Sequence, residues 1–259
     1  MTDVHLQSHH IATPQGLLFA QSWTPEQPHG AALVLLHDSL GCVALWRDFP
    51  LQLAQATGRT VIAYDRLGFG ASAAHPSTLP TSFVADEARQ GFAAVLAHFG
   101  LQTFVALGHS VGGGMAVCCA ATYPRQCQAL ITIAAQTFVQ ERTLTGIRQA
   151  QAEFAQPGAM DRLARYHGAK AHWVLHAWTD TWLSQAFAHW RLDPFLQQVQ
   201  CPTLALHGEL DEYGTAIHPQ TIAALVQGPS SLHLLADCGH VPHKQALPQT
   251  LDLIKTWIK

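Results

Sequence analysis

The sequence predicts an α/β protein with a mostly parallel central sheet and helices on both faces. Three observations carry this. Six short runs are almost continuously apolar, as strands covered on both faces are. Longer helix-like runs separate them, an alternation that favours parallel strands joined by crossover helices. The chain has 259 residues and is 48% hydrophobic, which suffices for one sizeable core.

Taken in order, the first thirty residues read as an antiparallel lead-in that turns at Gln15-Gly16. The strand runs are then ALVLLH (32–37), TVIAYD (60–65), TFVALG (103–108), ALITIA (129–134), TLALHG (203–208) and SLHLLA (231–236). Helical patterns cover 44–57, 83–99, 112–124 and 215–227, and the tail HKQALPQTLDLIKTWIK ends the chain as a last helix. Residues 137–199 break the rhythm. No strand pattern occurs there, so several short helices are expected, inserted between two sheet strands. Trp173, Trp178, Trp182 and Trp190, four of the seven tryptophans, fall in this stretch. The expected organisation is a core of residues 1–136 and 200–259 with a helical insert over 137–199.

Composition narrows the function. Only 12% of residues are charged and the net charge is -3. No basic patch or acidic tail stands out, which argues against nucleic acid as a partner. The longest apolar runs fall well short of the ~20 residues a membrane helix needs. The start, MTDVHLQSHH, lacks the basic-then-apolar layout of a signal peptide. A soluble cytoplasmic protein with a small-molecule substrate and no membrane partner is expected. The six cysteines show no C-x-x-C spacing and two are adjacent, so buried free thiols are expected rather than disulfides or a zinc site. The seventeen histidines are scattered without H-E-x-x-H, so neither metal nor cofactor is expected.

The chemistry centres on VALGHSVGGGMAV (105–117), where Ser110 stands in G-x-S-x-G. The motif follows a strand pattern and opens a helix pattern, the setting of a nucleophile elbow. Such a turn is sharp and needs small neighbours. It presents the serine at a helix N-terminus, where backbone N–H groups favour a developing anion. The near-match around Ser72 is followed by His75-Pro76, which does not continue a helix readily, so Ser72 reads as a loop residue. A serine nucleophile needs a base, and the base needs an orienting acid. Asp211 lies just past a strand end and His240 on the loop after the last strand. Strand ends on one edge of a parallel sheet face one crevice, so these groups can meet Ser110 there. Glu209 and Glu212 flank Asp211 and are the competing acids. Asp237 is expected to be solvated, His243 to begin the last helix, and His109 to pack. An oxyanion needs two N–H donors. Val111 supplies one, and the second is expected from His37-Asp38-Ser39-Leu40-Gly41-Cys42, the loop after the third strand.

With LLHDSLGCVALW, YDRLGFGAS, GHSVGG, HGELDEYG and CGHVPH in this order and spacing, the chain resembles the α/β-hydrolase superfamily over nearly all its length. The resemblance implies the α/β-hydrolase fold, with residues 137–199 as a helical cap between the sixth and seventh strands. It implies Ser110, Asp211 and His240 as the catalytic set. Family members often carry H-G-x-x-G in the oxyanion loop. This chain has Asp38 in place of that glycine, and the alignment assigns the second N–H to Ser39, with Leu40 as the alternative. The implied reaction is hydrolysis of an ester, lactone or related acyl bond. The scaffold also supports C–C bond hydrolysis, retro-ene elimination and perhydrolysis, and GHSVGGG is similar to the elbow of cofactor-free perhydrolases. A non-enzymatic small-ligand receptor would not need a complete Ser/Asp/His set. Trp178 and Trp182 are expected in a mainly apolar substrate pocket beneath the insert, whose nearly balanced charges do not suit a multiply charged substrate.

Overall fold

The computed structural model describes residues 3–258. One eight-stranded sheet runs through it. β1 (Val4–Thr13) and β2 (Gly16–Pro25) form an antiparallel hairpin. Its turn residues are Pro14 and Gln15, one position earlier than the sequence pattern suggests, because Thr13 pairs with Gly16. Gly16 opens β2 at φ 142°, and a Cβ there would meet the Ala73 Cβ at 2.7 Å, so the strand must start on a residue without a side chain.

The six remaining strands are β3 (Ala32–Leu36), β4 (Val61–Tyr64), β5 (Phe104–His109), β6 (Cys127–Ile133), β7 (Thr203–Gly208) and β8 (Ser230–Leu235). They are mutually parallel, and the sheet order is β1-β2-β4-β3-β5-β6-β7-β8. Each predicted run became a strand; β3 to β7 are buried on both faces as expected, whereas β8, at the sheet edge, buries only Leu235. On β3, Ala32, Val34 and Leu36 face one helical layer while Leu33 and Leu35 face the other. On β5, Phe104 and Ala106 oppose Val105 and Leu107 in the same way. The helices Gly91–Phe99, Val111–Thr122 and Ile217–Leu225 cover the first face. Phe49–Thr57 and Leu247–Trp257 cover the second.

The strand order turns at β3: β4 lies on one side of it and β5 on the other. In open α/β sheets, the crevice beyond the C-terminal ends of strands at such a switch point is where ligands bind. Between β6 and β7 the chain forms the helices Glu141–Phe154, Ala159–His167 and Ala171–Trp182 and a short turn of helix at Asp193–Leu196. These helices touch the loops at that same sheet edge. Arg142 Nε donates to the Asp211 carbonyl at 2.8 Å, Thr143 Oγ1 to the Tyr213 carbonyl at 2.6 Å, and Lys170 Nζ to the Gly70 carbonyl at 2.8 Å. No helix among the described residues is long and apolar enough to cross a membrane.

Candidate active site

Ser110 sits between the end of β5 and the helix Val111–Thr122, at φ 55° and ψ -124°. A non-glycine residue in this region carries strain of about 1–3 kcal/mol, held by its surroundings. The glycines of the motif show what holds it. A Cβ at Gly108 would lie 2.0 Å from the Gly112 carbonyl oxygen, and a Cβ at Gly112 would lie 2.1 Å from that of Leu36. The helix is pressed so close onto β3 and β5 that only hydrogen fits there. The Ser110 N–H donates to the Ile133 carbonyl at 2.8 Å, which ties the turn to β6.

The structure brings Ser110, His240 and Asp211 together. Ser110 Oγ is 2.9 Å from His240 Nε2, and His240 Nδ1 is 2.9 Å from each oxygen of Asp211. All three residues are buried. Asp211 is an acceptor, so the ring proton sits on Nδ1 and Nε2 is left to accept the Ser110 hydrogen. Asp211 Oδ1 also accepts the N–H groups of Tyr213 (2.8 Å) and Gly214 (3.1 Å). Burial pushes the Asp211 carboxyl up, but the hydrogen bond and charge of His240, followed by His207 and the Tyr213 N–H, outweigh it and hold the group below the ordinary aspartate value.

The competing carboxylates are elsewhere. Glu209 and Asp237 are exposed. Glu212 is exposed too, and its Oε2 accepts the backbone N–H of His240 at 3.1 Å rather than a ring proton. His109 is buried, with Nε2 2.8 Å from the His240 carbonyl, and burial drives its pKa down to about 4. It braces the loop that carries His240. His243 stands in the short helix Pro242–Gln245 and packs on Trp46, Phe49 and His109. Ser72 is a loop residue whose Oγ donates to the Asp65 carbonyl and accepts the Phe19 N–H.

A cavity of about 100 Å³ opens on Ser110 and His240. Ser39 and Leu40 line it, so both candidate oxyanion donors stand beside the serine, with the Asp38 side chain between that loop and His109 (Oδ2 to Nδ1 3.7 Å). The Val111 N–H is at the first helical position, where no intrahelical acceptor precedes it. Trp178 and Trp182, both from the helix Ala171–Trp182, also line the cavity. A larger cavity of about 250 Å³, between the β1–β2 hairpin and the segment 79–94, has neither serine nor cysteine in its lining. Among the described residues no group of three or more histidines, cysteines, aspartates and glutamates is arranged to hold a metal.

Two neighbours of the site escaped sequence reasoning. His207 Nε2 lies 3.3 Å from Asp211 Oδ2, the oxygen that also faces His240 Nδ1. Gln136 lines the cavity with its amide oxygen 3.4 Å from Ser110 Oγ. Each stands at or just beyond the end of a central strand, which is the only signal in the sequence that could have marked it.

Residues 31–178 match the family model described as the alpha/beta hydrolase fold. The mouse (Mus musculus) protein "Serine hydrolase BPHL" is 26% identical over 240 residues, covering 88% of this chain and 79% of that protein. Among solved structures, a thermophilic esterase from Thermogutta terrifontis superposes with a TM-score of 0.73 at 20% identity, covering 97% of each chain. The 2-hydroxy-6-oxo-6-phenylhexa-2,4-dienoate hydrolase of Rhodococcus sp. strain RHA1 gives 0.75 at 18% identity, covering 98% of this chain and 99% of that one. With the motif order, the sheet topology and the family match in agreement, the chain belongs to the alpha/beta hydrolase family and is a hydrolase of that fold.

Proposed function

We propose that the protein is a serine hydrolase that cleaves an ester, lactone or related acyl bond of a small, mainly apolar substrate. The observation that carries this is the hydrogen-bonded series Ser110–His240–Asp211 opening onto a cavity walled by Trp178 and Trp182. His240 Nε2 takes the Ser110 proton as Oγ attacks the carbonyl carbon. The N–H groups of Val111 and Ser39 hold the oxyanion, and Asp211 steadies the imidazolium. Collapse of the tetrahedral intermediate expels the alcohol, which receives the proton from His240. Water then releases the acyl group with His240 again as base. No metal or cofactor enters these steps. In this reading the helices of residues 137–199 act as a cap that excludes water and supplies apolar contact to the acyl chain. The mouse relative, by its name a serine hydrolase, supports the use of serine.

Covalent labelling by a fluorophosphonate, with mass spectrometry of the labelled peptide, tests the assignment together with burst kinetics on p-nitrophenyl esters. Label on Ser110 and a burst of one equivalent are expected. Labelling that persists in a folded Ser110→Ala protein would remove the proposal.

A further inference from the structure

One polar group beside Ser110 has no part in the chemistry above. Gln136 is 3% exposed and lines the reaction cavity, and its Oε1 lies 3.4 Å from Ser110 Oγ. It approaches from the side opposite Ser39. Ser39 follows β3, Ser110 follows β5 and Gln136 follows β6, and these strands are adjacent in the order β3-β5-β6. Gln136 therefore does not share the oxyanion position. The backbone is shaped to bring it there: Ala134 takes φ 51° at the end of β6, an unfavourable region for alanine, next to the Ile133 carbonyl that accepts the Ser110 N–H.

A proton count then matters. Ser110 has one hydrogen and two acceptors near it, His240 Nε2 at 2.9 Å and Gln136 Oε1 at 3.4 Å. The shorter contact takes the hydrogen, because 3.4 Å is beyond the normal range for an O–H···O bond. Among the described hydrogen bonds no other donor reaches Gln136 Oε1. The resting site thus leaves Gln136 Oε1 facing the reaction cavity beside Ser110, held only by this long contact among the described hydrogen bonds.

We propose that Gln136 is a catalytic residue that holds the deacylating water, an inference that rests on the acyl-enzyme reading above. Water has two protons. As its oxygen bonds to the acyl carbon, one proton passes to His240 Nε2 and the other is held by Gln136 Oε1, so the lone pair faces the carbon. The bond from the acyl carbon to Ser110 Oγ then breaks, His240 returns its proton to Oγ, and the acid leaves with the proton that faced Gln136. An alcohol nucleophile has a single hydroxyl proton, which goes to His240. Its attack makes no use of the Gln136 acceptor.

The partition between water and methanol therefore reports on Gln136, and a merely structural role would slow both reactions alike. The experiment measures acetate and methyl acetate formed from p-nitrophenyl acetate in methanol–water mixtures, with fluorophosphonate labelling of Ser110 alongside. In Gln136→Met, which keeps the volume and loses the acceptor, hydrolysis should fall about 10²-fold, the scale for a nucleophile about 1 Å out of place. Methanolysis and labelling should change little, so the ester-to-acid ratio rises. Gln136→Asn, smaller but still polar, withdraws the acceptor and should raise the ratio as well. Gln136→Glu keeps an oxygen acceptor and should leave the ratio near that of the wild type. An unchanged ratio in whichever of Gln136→Met and Gln136→Asn folds overturns the role of Gln136 while the serine mechanism stands. A wild-type protein that is not labelled on Ser110 overturns both.

Discussion

Ser110 and Asp211 carry the sharpest expectations at the scale of single residues. Ser110→Ala removes the proposed nucleophile and leaves the turn to the same glycines. Turnover of p-nitrophenyl esters should fall by about 10⁴–10⁶-fold with the melting temperature nearly unchanged. Asp211→Asn can still accept the Tyr213 and Gly214 N–H groups through its amide oxygen, but it presents an NH₂ group to His240 Nδ1. The imidazole must then switch tautomer, and turnover should fall by about 10⁴-fold. Glu212→Gln replaces an exposed acceptor of a backbone N–H with a neutral one and should cost far less. Steady-state kinetics of the two variants side by side separate the carboxylates. A larger loss in Glu212→Gln would transfer the acid role to Glu212.

At the scale of elements, the elbow and the helix Ala171–Trp182 do different work. The elbow is a contact between backbones. Gly112→Ala places a methyl group 2.1 Å from the Leu36 carbonyl, on two elements that cannot both give way. Stability should fall by about 1–3 kcal/mol or more, and phosphonate labelling should fall with it. On the helix Ala171–Trp182, the two tryptophans that line the cavity are not equivalent. Trp182 is 3% exposed and packs in the main core against Phe187 and Trp190, so Trp182→Ala should destabilise by about 3–5 kcal/mol in urea denaturation. Trp178 is only half-buried and faces Tyr213 with ring centroids 6.0 Å apart. Trp178→Ala should leave stability closer to wild type. It should shift the preference among p-nitrophenyl esters of different chain length by about 1–3 kcal/mol in kcat/KM. Equal chain-length profiles for wild type and Trp178→Ala would make Trp178 a packing residue.

For the whole molecule, the buried histidines set the response to acid. Burial lowers the pKa of His37, His109, His167, His207, His218 and His243, reaching about 4 for His109 and His218. In the unfolded chain each binds a proton near 6.5, whereas in the folded protein it stays neutral until lower pH. The unfolded state therefore holds more protons in this window, and stability falls as pH drops from about 6.5 toward 4, by up to about 1.4 kcal/mol per pH unit for each group. Asp211, held low, adds stability that is present above the ordinary aspartate value and lost as pH falls through its folded value. Asp65 runs the other way. Burial raises it to about 6, so its contribution is full below 3.8 and lost as pH rises through about 6, and Glu87 is raised by burial as well. Six histidines outweigh these two carboxyls, so the melting temperature should drop between about pH 7 and pH 5. His243→Phe removes a ring whose Nδ1 has no partner and should flatten that slope. A melting temperature that held or rose on acidification would contradict this reading. What the sequence by itself determined was local. Short, almost continuously apolar runs marked the parallel strands, and small residues around Ser110 after a strand marked the elbow, because strand and turn geometry depend on near neighbours along the chain. The tertiary structure alone decided the rest. It set β4 outside β3 and gave Glu212 a contact with the His240 backbone N–H while Asp211, as expected, faces the ring. It also brought Gln136 beside Ser110 and His207 beside Asp211. No local pattern records such choices, since the bond from Ser110 to His240 spans 130 positions and forms only when packing of the whole sheet closes that distance.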